Sequence, residues 1–416
     1  MKILPCTLFP CIAQEEDNLD EFQSKNMHSE SSCSSHCSTL SSLPSMPSIP
    51  SLTPSSHHHE QPPSAAANHH CLATLKGHSS YIFSLALTGK HLYTGSSNSD
   101  IRLLSRDPLN NQENPTNKIV AKGKSAVKSI VIMGDKLFSA HQDHKIRVWR
   151  INSSTPDQKM KCISTLPTIN DRCMKLFLPK NYVEVRRNKK CTYVNHVDTV
   201  SALAISSDGT CLYSASWDRS FKIWNISDFK CLESVHNAHE DAINSIVVSN
   251  DGLVYTGSAD KKIKVWKKVE GEKKHKLVAT LEKHKSAVNA LALSVDGLVL
   301  YSGACDRSII VWGKGDGGGG GFMVVVGALR GHNKAILCLC VVSELVFSGS
   351  ADKTIRVWRK GVGKSYACLA VLEGHTKPIK CLVATVDSGH FDNSYLVYSG
   401  GLDCDIRIWR IQLTSI

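Results

Sequence analysis

The sequence predicts an all-β protein, a seven-bladed β-propeller preceded by a disordered N-terminal tail. Three observations support this prediction. A short pattern of alternating apolar and polar residues that ends in tryptophan recurs along the chain after residue 70. From Trp224 onward these tryptophans lie 42, 46, 46 and 51 residues apart, a spacing typical of propeller blades. Two nearly identical segments, CLATLKGH at 71–78 and CLAVLEGH at 368–375, lie near the two ends of the repeats.

The predicted tail comprises residues 1–70. Its segment 29–63 is dominated by Ser, Pro and His and has no periodic apolar face. Such a segment cannot bury enough apolar surface to offset the entropy lost on ordering, so we expect disorder over residues 1–70. Within it, Thr53 precedes Pro54 and matches the short pattern of a proline-directed phosphorylation site. Two prolines interrupt the short apolar run at the start of the chain, so no secretory signal is expected.

The repeats occupy residues 71–416. Two alternating, β-branched runs around a turn such as Ser-Ala-Asp predict a β-hairpin. One four-stranded blade cannot bury both of its faces, so we expect seven blades, with strands a to d named outward from the axis, to stack in a ring. The thirteen-residue pattern occurs at 137–149, 212–224, 254–266, 300–312, 346–358 and 397–409, with a degraded copy at 92–104.

The ends of the repeat region predict how the ring closes. The last repeat stops soon after its strand c, at Trp409, so blade seven lacks a strand d of its own. Residues 71–75 have the sequence of a strand d, but no blade precedes them. We therefore expect residues 71–75 to pair with the last blade and to close the ring.

Composition and charge limit the classes of function. Many of the 16 cysteines lie in apolar runs without recurring metal-ligand spacing, so we interpret them as reduced core thiols and expect no metal, cofactor or small-molecule substrate. No run of about 18 apolar residues suggests a spanning helix. The tail has two basic and seven acidic residues, a net charge of −5, whereas residues 71–416 have 47 basic and 30 acidic residues, a net charge of +17. A basic body favours acidic partners or nucleic acid, or is simply a solvated surface.

The recurring residues resemble the WD-repeat, or β-transducin-like, family over most of the chain after residue 70. Each copy has Ser or Thr ten residues before the tryptophan position, and most have Asp six residues before it and a His upstream. The wording of residues 216–234 and of the insert 178–190 (LPKNYVEVRRNKK) resembles the plant JINGUBANG-type subfamily.

Five blades carry Ser or Thr, His and Asp at fixed offsets, which could suggest a catalytic triad. Five copies argue against one active site. The resemblance implies instead a structural tetrad, in which Asp holds His, His bonds the hydroxyl, and the hydroxyl bonds the tryptophan indole. The implied tetrads are His196, Ser214, Asp218 and Trp224 in blade three; His239, Thr256, Asp260 and Trp266 in blade four; His284, Ser302, Asp306 and Trp312 in blade five; His332, Ser348, Asp352 and Trp358 in blade six; and His375, Ser399, Asp403 and Trp409 in blade seven.

Blades one and two depart from the tetrad pattern. Blade one has Asn98 and Leu104 in place of Asp and Trp. Blade two has Gly123 at the His position. An incomplete network leaves buried polar groups without partners, so we expect these two blades to be the softest.

The resemblance also implies that three positions in each blade face partners on the top face, which the d–a connections and b–c turns form. Most of these positions hold Ala, Ser, Asn or Lys. The larger apolar exceptions are Tyr81 and Phe83 in blade one, Trp217 in blade three, Leu337 in blade six and Leu402 in blade seven. Large aromatic side chains are frequent anchors of protein interfaces, so Tyr81, Phe83, Trp217 and Leu337 are candidate partner contacts. Packing within the ring is the alternative for each.

An insertion separates strand d of blade two from His196. Residues 167–195 carry seven basic and two acidic side chains, including Arg186 and Arg187 in the run RRNKK. Long insertions in a compact domain are usually functional or disordered. This one could bind an acidic peptide, act in nuclear import or be a solvated loop.

These observations favour a non-catalytic, monomeric interaction scaffold in the cytoplasm or nucleus, which binds regulatory proteins or acidic peptide segments. The JINGUBANG-like resemblance implies a plant regulatory role. A substrate receptor of a cullin-type ubiquitin ligase is one alternative, although no strand-c tryptophan is followed by Asp. RNA binding through the basic face is another. No sequence motif of an enzyme or of a dinucleotide-binding site is present.

Overall fold

The computed structural model describes residues 49–53, 67–106, 118–152, 159–176, 182–186, 189–192, 194–269, 271, 274–315, 323–361, 363–387 and 393–413. Most of the predicted tail, residues 1–48 and 54–66, lies outside these ranges. Residues Pro50–Ile416 belong to one compact unit.

The described residues form seven four-stranded antiparallel sheets, which confirms the predicted seven-bladed propeller. Blades one and two are β2–β5 and β6–β9, an insertion contains α1, β10 and β11, and blades three to seven are β12–β15, β16–β19, β20–β23, β24–β27 and β28–β30 with β1. The elements are β1 (Asn68–Leu75), β2 (Ile82–Thr88), β3 (His91–Ser96), β4 (Asp100–Ser105), β5 (Lys118–Lys122), β6 (Val127–Met133), β7 (Lys136–His141), β8 (Ile146–Arg150), β9 (Lys161–Leu166), α1 (Ile169–Leu176), β10 (Tyr182–Arg186), β11 (Lys189–Thr192), β12 (Val200–Ile205), β13 (Cys211–Ser216), β14 (Phe221–Asn225), β15 (Cys231–Val235), β16 (Ile243–Val248), β17 (Val254–Ser258), β18 (Ile263–Lys268), β19 (His275–Leu281), β20 (Val288–Leu293), β21 (Val299–Ala304), β22 (Ile309–Lys314), β23 (Met323–Leu329), β24 (Ile336–Val342), β25 (Leu345–Ser350), β26 (Ile355–Lys360), β27 (Tyr366–Leu372), β28 (Ile379–Val386), β29 (Ser394–Gly401) and β30 (Ile406–Gln412).

The first strand of the described residues completes the last blade. β1 pairs antiparallel with β30, so that Leu75 lies opposite Ile406 and Asn68 opposite Gln412. The sheet order of blade seven is therefore β1-β30-β29-β28, and the two ends of the repeat region share one sheet. The paired strand begins at Asn68, three residues before the segment predicted to pair.

Every inner strand has a β-bulge at its second residue, where the register with strand b shifts by one. A bulge leaves one residue unpaired and redirects its side chain. We call these seven positions the bulge ring. Its members, from blade one to blade seven, are Phe83, Lys128, Ser201, Asn244, Asn289, Leu337 and Lys380.

Each inner strand packs beside the inner strand of the next blade all the way around the ring. Apolar clusters fill the space between the sheets, as where Phe138 of blade two and Trp224 of blade three share one buried core. At least one bond that uses a side chain also crosses each of the seven blade boundaries. From the boundary of blades one and two to that of blades seven and one, these bonds are Ile130 N to Ser84 Oγ, Leu203 N to Ser129 Oγ, Ser201 Oγ to Ile243 O, Leu291 N to Ser245 Oγ, Asn289 Nδ2 to Ile336 O, Cys338 Sγ to Ile379 O and Cys381 Sγ to Ile82 O.

The insertion between blades two and three contains regular structure. A short helix, α1, is followed by a hairpin in which β10 pairs with β11. The Thr168 hydroxyl accepts the Asp171 backbone N–H at 3.1 Å and donates to the Asp171 carboxylate at 2.9 Å, so the helix start is capped. The insertion therefore contains regular structure at α1, β10 and β11, where a loop was one of the expectations.

A short part of the predicted tail is ordered against the propeller. Residues Pro50–Thr53 run beside the outer strands of blades five and six, and Ser51 forms a parallel bridge with Ala328 of β23. The prediction of disorder over residues 1–70 is thus wrong for this segment and for Asn68–His70 of β1. Burial of Leu52 and backbone hydrogen bonds to the propeller stabilise these residues, although the composition of the tail favours disorder.

Candidate functional site

Seven equivalent hydrogen bonds define the top face. In every blade, the first residue of the b–c turn donates its backbone N–H to the carbonyl of the residue before strand a. This bond places the b–c turn beside the start of the inner strand and therefore beside the bulge ring. The bonds are Ser97 to Tyr81, Gln142 to Ala126, Trp217 to Thr199, Ala259 to Ala242, Cys305 to Ala287, Ala351 to Ala335 and Leu402 to Pro378.

Blades three to seven contain the five tetrads implied by the sequence. In blade three, His196 Nδ1 lies 3.0 Å from Asp218 Oδ2, His196 Nε2 lies 2.9 Å from Ser214 Oγ, and Trp224 Nε1 donates to Ser214 Oγ at 2.9 Å. One arrangement of protons satisfies these contacts: Trp donates to Ser, Ser to His, and His to Asp.

The other four tetrads repeat this geometry. The histidine contacts of His239, His284, His332 and His375, with Asp260, Asp306, Asp352 and Asp403 on one side and the hydroxyl on the other, measure 2.7–2.9 Å. The indole bonds run from Trp266 to Thr256 at 3.0 Å, from Trp312 to Ser302 at 2.8 Å, from Trp358 to Ser348 at 2.8 Å and from Trp409 to Ser399 at 2.9 Å.

Burial of the tetrads excludes a direct role in catalysis or partner binding. The hydroxyl residues all have 0 % exposure; they are Ser214, Thr256, Ser302, Ser348 and Ser399. The tryptophans have exposures of 1, 7, 2, 1 and 3 %, in the order Trp224, Trp266, Trp312, Trp358 and Trp409. No substrate can reach these hydroxyls, so a catalytic-triad interpretation of the tetrads is wrong. These ten residues are buried parts of the blades and not surface sites.

Electrostatics keep the aspartate of the blade-four tetrad ionised. Burial alone would raise the pKa of Asp260, but its hydrogen bond with His239 and the electrostatic attraction between the two side chains outweigh burial and lower the pKa to about 2. The carboxylate stays ionised and also accepts the backbone N–H of Glu240 at 3.0 Å. It therefore fixes the d–a connection to the b–c turn.

In blade two the histidine comes from strand b instead of the d–a connection. His141, at the end of β7, places Nε2 2.8 Å from Ser139 Oγ, which also accepts the Trp149 indole N–H at 2.8 Å. The freed carboxylate of Asp143 pairs with Arg147 instead. Sequence reasoning missed this replacement, and its signal was a histidine two residues after the tetrad serine. The basis for expecting a soft blade two is therefore wrong.

Blade one retains only part of the pattern. Thr94 Oγ1 lies 3.0 Å from His78 Nε2, but His78 Nδ1 is buried without a hydrogen-bond partner among the described residues. Asn98 turns toward Asp100, to whose carboxylate its Nδ2 donates at 3.0 Å. A carboxylate at position 98 would face the buried Asp100 carboxylate, which explains the amide there. The buried His78 Nδ1 without a partner supports the expectation that blade one is soft.

The candidate partner residues differ in accessibility. Tyr81 is 36 % exposed and Trp217 is half-buried, whereas Phe83, Leu337 and Leu402 are buried, with exposures of 4, 5 and 8 %. The expectation that Phe83 and Leu337 anchor a partner as exposed side chains is wrong, because both bulge-ring side chains pack within the ring. Tyr81 and Trp217 remain available at the surface.

Lys128 joins two of the candidate aromatic residues into one cluster. Its Nζ lies 4.1 Å from the centre of the Phe83 ring and 5.5 Å from that of Trp217. Burial, and then the nearby charge of Lys380, lower the pKa of Lys128 to about 8. We call Phe83, Lys128, Trp217 and Lys380 the lysine–aromatic cluster. Sequence reasoning missed Lys128 as a site residue, because three blades create its surroundings.

Of the two candidate arginines in the insertion, the structure describes the backbone of Arg186 only. Arg186 ends β10 and pairs in register with Lys189 of β11. Arg187 lies outside the described residues. A role in partner binding stays a prediction for both arginines.

The exposed side chains of the top face are mainly cationic. Exposed cations follow the tetrad histidine position or the tetrad aspartate in several blades, whereas the d–a connection of blade four carries the exposed acids Glu240 and Asp241. The tetrad-aspartate followers adopt positive φ, between 67 and 73° for Arg219, Lys261, Arg307 and Lys353, so the turn directs them in the same way. The exposed cations are Lys124, Arg219, Lys261, Lys285, Arg307, Lys334, Lys353 and Lys377.

The described ranges contain neither a metal-binding cluster nor a membrane-spanning helix. No group of three or more His, Cys, Asp or Glu side chains among the described residues could hold a metal ion. No helix in the described part of the chain has the length and apolar content needed to cross a membrane. Burial raises the pKa of the Cys338 thiol to about 12, so this thiol remains protonated within the ring.

Comparisons with known proteins identify the repeat. The model of the family described as "WD domain, G-beta repeat" matches more than half of the chain, at residues 69–104, 188–225, 229–267, 275–313, 323–359 and 366–410. The crystal structure of the WD40 β-propeller domain of Doa1 superimposes with a TM-score of 0.61, at 20 % identity, over 82 % of this chain and 96 % of that one. At this identity the likeness shows the fold alone.

Three relatives in sequence are named for the small ribosomal subunit, for ribosome biogenesis and for pre-mRNA processing. The small ribosomal subunit protein RACK1 of Drosophila melanogaster is 35 % identical over 24 % of this chain and 30 % of its own length. The ribosome biogenesis protein WDR12 homolog of Arabidopsis thaliana is 24 % identical over 47 % of this chain and 46 % of its own. Human pre-mRNA-processing factor 17 is 24 % identical over 41 % of this chain and 24 % of its own.

The matched part spans less than half the length of each of these relatives. Shared repeats, rather than a shared whole protein, are what the comparisons establish. With the family model covering most blades and the propeller present, the chain belongs to the WD-domain, G-beta repeat family.

Proposed function

We propose that this chain is a non-catalytic adaptor, a plant regulatory protein of the cytoplasm or nucleus, which binds acidic segments of partner proteins at its top face. The plant regulatory role is supported by the resemblance of residues 178–190 and 216–234 to JINGUBANG-type proteins. Relatives named for the ribosome and for pre-mRNA processing support a role in protein assemblies. The observation that carries the proposal is the position of Lys128 between Phe83 and Trp217.

The lysine–aromatic cluster has the chemistry to hold a carboxylate. Lys128 is half-buried, and its lowered pKa shows that burial and Lys380 disfavour its charged form. A carboxylate placed beside Lys128 relieves this cost, because an opposite charge favours the ammonium form. The Trp217 ring, half-buried and 5.5 Å from Lys128 Nζ, supplies apolar surface beside the charge. Tyr81, two residues before Phe83 in the chain, is exposed. An acidic side chain flanked by apolar residues therefore fits the cluster.

The cationic top face extends this preference beyond one side chain. Exposed cations in the d–a connections of blades two, five, six and seven, and in the b–c turns of blades three to six, surround the bulge ring. Such a field raises the local concentration of acidic segments and speeds their association. The cluster then provides the specific contact.

Affinity purification from native tissue, with quantitative mass spectrometry, tests the proposal. Wild type is compared with Lys128→Glu and Trp217→Ala, and Lys161→Glu serves as the matched control because Lys161 is exposed on outer strand β9. All variants must melt at the wild-type temperature. We expect a shared set of preys with acidic segments to be lost from the two cluster variants and kept by Lys161→Glu. Prey lists equal to that of wild type would reject the cluster as the binding site.

The same experiment separates the two alternatives. Cullin-ligase subunits recovered equally by all variants would support a substrate receptor. Preys lost after ribonuclease treatment or at raised salt would support RNA binding, because phosphate contacts are strongly salt-dependent.

A further inference from the structure

The segment Pro50–Thr53 occupies a cleft between blades five and six, far along the chain from both. Leu52 N donates to Ala328 O at 2.9 Å, and Ala328 N donates to Pro50 O at 2.9 Å, so the segment extends the exposed edge of β23. On the other side, Tyr366 N of β27 donates to Leu52 O at 3.0 Å. One short peptide therefore bonds two neighbouring blades through its backbone, which is how sheet edges recognise extended ligands.

The Leu52 side chain fills a pocket that a glycine creates. A Cβ on Gly327 would lie 2.5 Å from Leu52 Cγ and Cδ2, so a side chain at position 327 would exclude leucine. Leu52 packs against the buried cluster that contains Tyr301, Trp358 and Tyr366. This apolar contact gives the segment one specific anchor.

The register of the strand d positions shows that this pocket is built into blade five. Gly327 pairs with Val311, the residue before the strand-c tryptophan. Among blades with the same register, the equivalent strand d residues carry side chains. They are Ser164 in blade two, Glu233 in blade three, Ala279 in blade four, Ala370 in blade six and Ala73 in blade seven.

The hydroxyl residues of the segment complete its fit. Ser51 Oγ donates to Thr53 O at 3.0 Å, and Thr53 Oγ1 donates to Arg330 O at 3.4 Å. Pro50 needs no donor there, because its carbonyl alone is used. The cleft thus holds an extended Pro-Ser-Leu-Thr segment through backbone bonds, the leucine side chain and the Thr53 hydroxyl, whereas the Ser51 hydroxyl bonds within the segment. None of these contacts requires that the peptide be covalently joined to the propeller.

We propose that the cleft between blades five and six is a peptide-binding site for an extended segment of a partner protein in which leucine follows Pro-Ser and precedes a small hydroxyl residue, and that Pro50–Thr53 is its displaceable resident. Residues 54–66, thirteen residues, link the resident to Ala67. Because the resident is covalently joined to the propeller, it competes with partners as an intramolecular ligand. The cleft is distinct from the lysine–aromatic cluster, and either proposal can fail alone.

A fluorescent synthetic peptide with the sequence of residues 47–55 tests this site by anisotropy against the full chain. Leu52→Asp, with Leu52→Ser as a second variant, empties the cleft of its resident. We expect these variants to bind the peptide roughly tenfold or more tightly than wild type, because competition from the tether is gone. Leu52→Asp combined with Gly327→Val should abolish binding, whereas Leu52→Asp combined with Ala279→Val, the matched position of blade four, should bind as Leu52→Asp does.

The outcomes decide the proposal. Equal binding by wild type and by folded Leu52 variants, or binding that Gly327→Val leaves unchanged, would overturn it. Sedimentation distinguishes the other occupant: a wild-type dimer that Leu52→Asp converts to a monomer would assign the cleft to a second copy of this chain and would overturn the proposal of a partner.

Discussion

His141 fills the place that Gly123 leaves empty in blade two. A Cβ on Gly123 would lie 2.5 Å from His141 Cε1, so the two residues are compatible only as a pair. In the d–a connection, glycine stands at the histidine position and leaves room for another side chain. His141 of strand b fills this room and contacts Ser139, which also accepts the Trp149 indole N–H. The buried polar network thus keeps its chemistry although its histidine moves along the chain by eighteen residues.

Loss of the His141 imidazole should destabilise the propeller. In His141→Ala, Ser139 loses the acceptor of its hydroxyl proton, which costs roughly 1–3 kcal/mol of unfolding free energy for a buried group. Denaturant unfolding measures the change. Arg150→Ala is the control, because its ion pair with Asp135 is exposed and such pairs contribute little. Equal stability of His141→Ala and the control would show that His141 is not a tetrad member.

Removal of a tetrad aspartate should act through three groups at once. Asp260→Ala leaves His239 Nδ1 and the backbone N–H groups of Glu240 and Lys262 without their acceptor, so we expect a loss of roughly 1–3 kcal/mol at pH 7. The folded pKa of Asp260 is depressed to about 2, so its contribution is present above pH 3.8 and is lost as the pH falls toward 2. The stability difference between wild type and Asp260→Ala should therefore shrink below pH 3.8. Asp241→Ala, in the same connection, should be nearly neutral.

Acid should loosen blades one and two before blade six. Burial, then Arg102, lowers the pKa of His78 to about 4, and burial, then Arg147, lowers that of His141 to about 4. The unfolded histidines titrate near 6.5, so the folded state loses stability as the pH falls from 6.5 to 4, by about 2 kcal/mol per histidine at pH 5. Hydrogen exchange, corrected for intrinsic rates, should show faster opening of β3 and β7 at pH 5 than at pH 7. Unchanged protection relative to blade six would contradict this.

Binding of acidic segments should weaken in mild alkali. The pKa of Lys128 is lowered to about 8, and the ammonium form is the one that attracts a carboxylate. The affinity for an acidic peptide should therefore fall as the pH rises from 7 to 9, and Lys128→Arg, which stays charged, should remove most of this dependence. Calorimetric titration at both pH values measures it. Identical pH profiles for wild type and Lys128→Arg would exclude Lys128 as the titrating group.

The number of blades could be predicted from sequence because the tryptophan period and the alternating runs repeat in register. The positions of the tetrad residues were visible for the same reason, since each lies at a fixed offset from Trp224 and its equivalents. Trp217 stood out as a large residue where other blades have smaller ones. A feature can be predicted from the sequence where all of its residues lie within one blade.

Features that several blades form together could not be predicted from the sequence. Lys128 is one of many lysines, and only the neighbouring blades give it Phe83 and Trp217 as neighbours. Leu52 lies in a segment of disordered composition, and its pocket requires Gly327, far away in the chain. Phe83 and Leu337 seemed accessible because the bulge that turns them into the ring has no sequence marker. In each case the neighbours that give the residue its role come from distant parts of the chain.

Selection from a displayed library of natural peptide segments against the full chain tests the central claim most directly. The claim predicts enrichment of segments with Asp or Glu beside apolar residues, whose binding is lost in Lys128→Glu and kept in Lys161→Glu. Enriched segments without acidic residues, or acidic segments that bind Lys128→Glu as well as wild type, would contradict it.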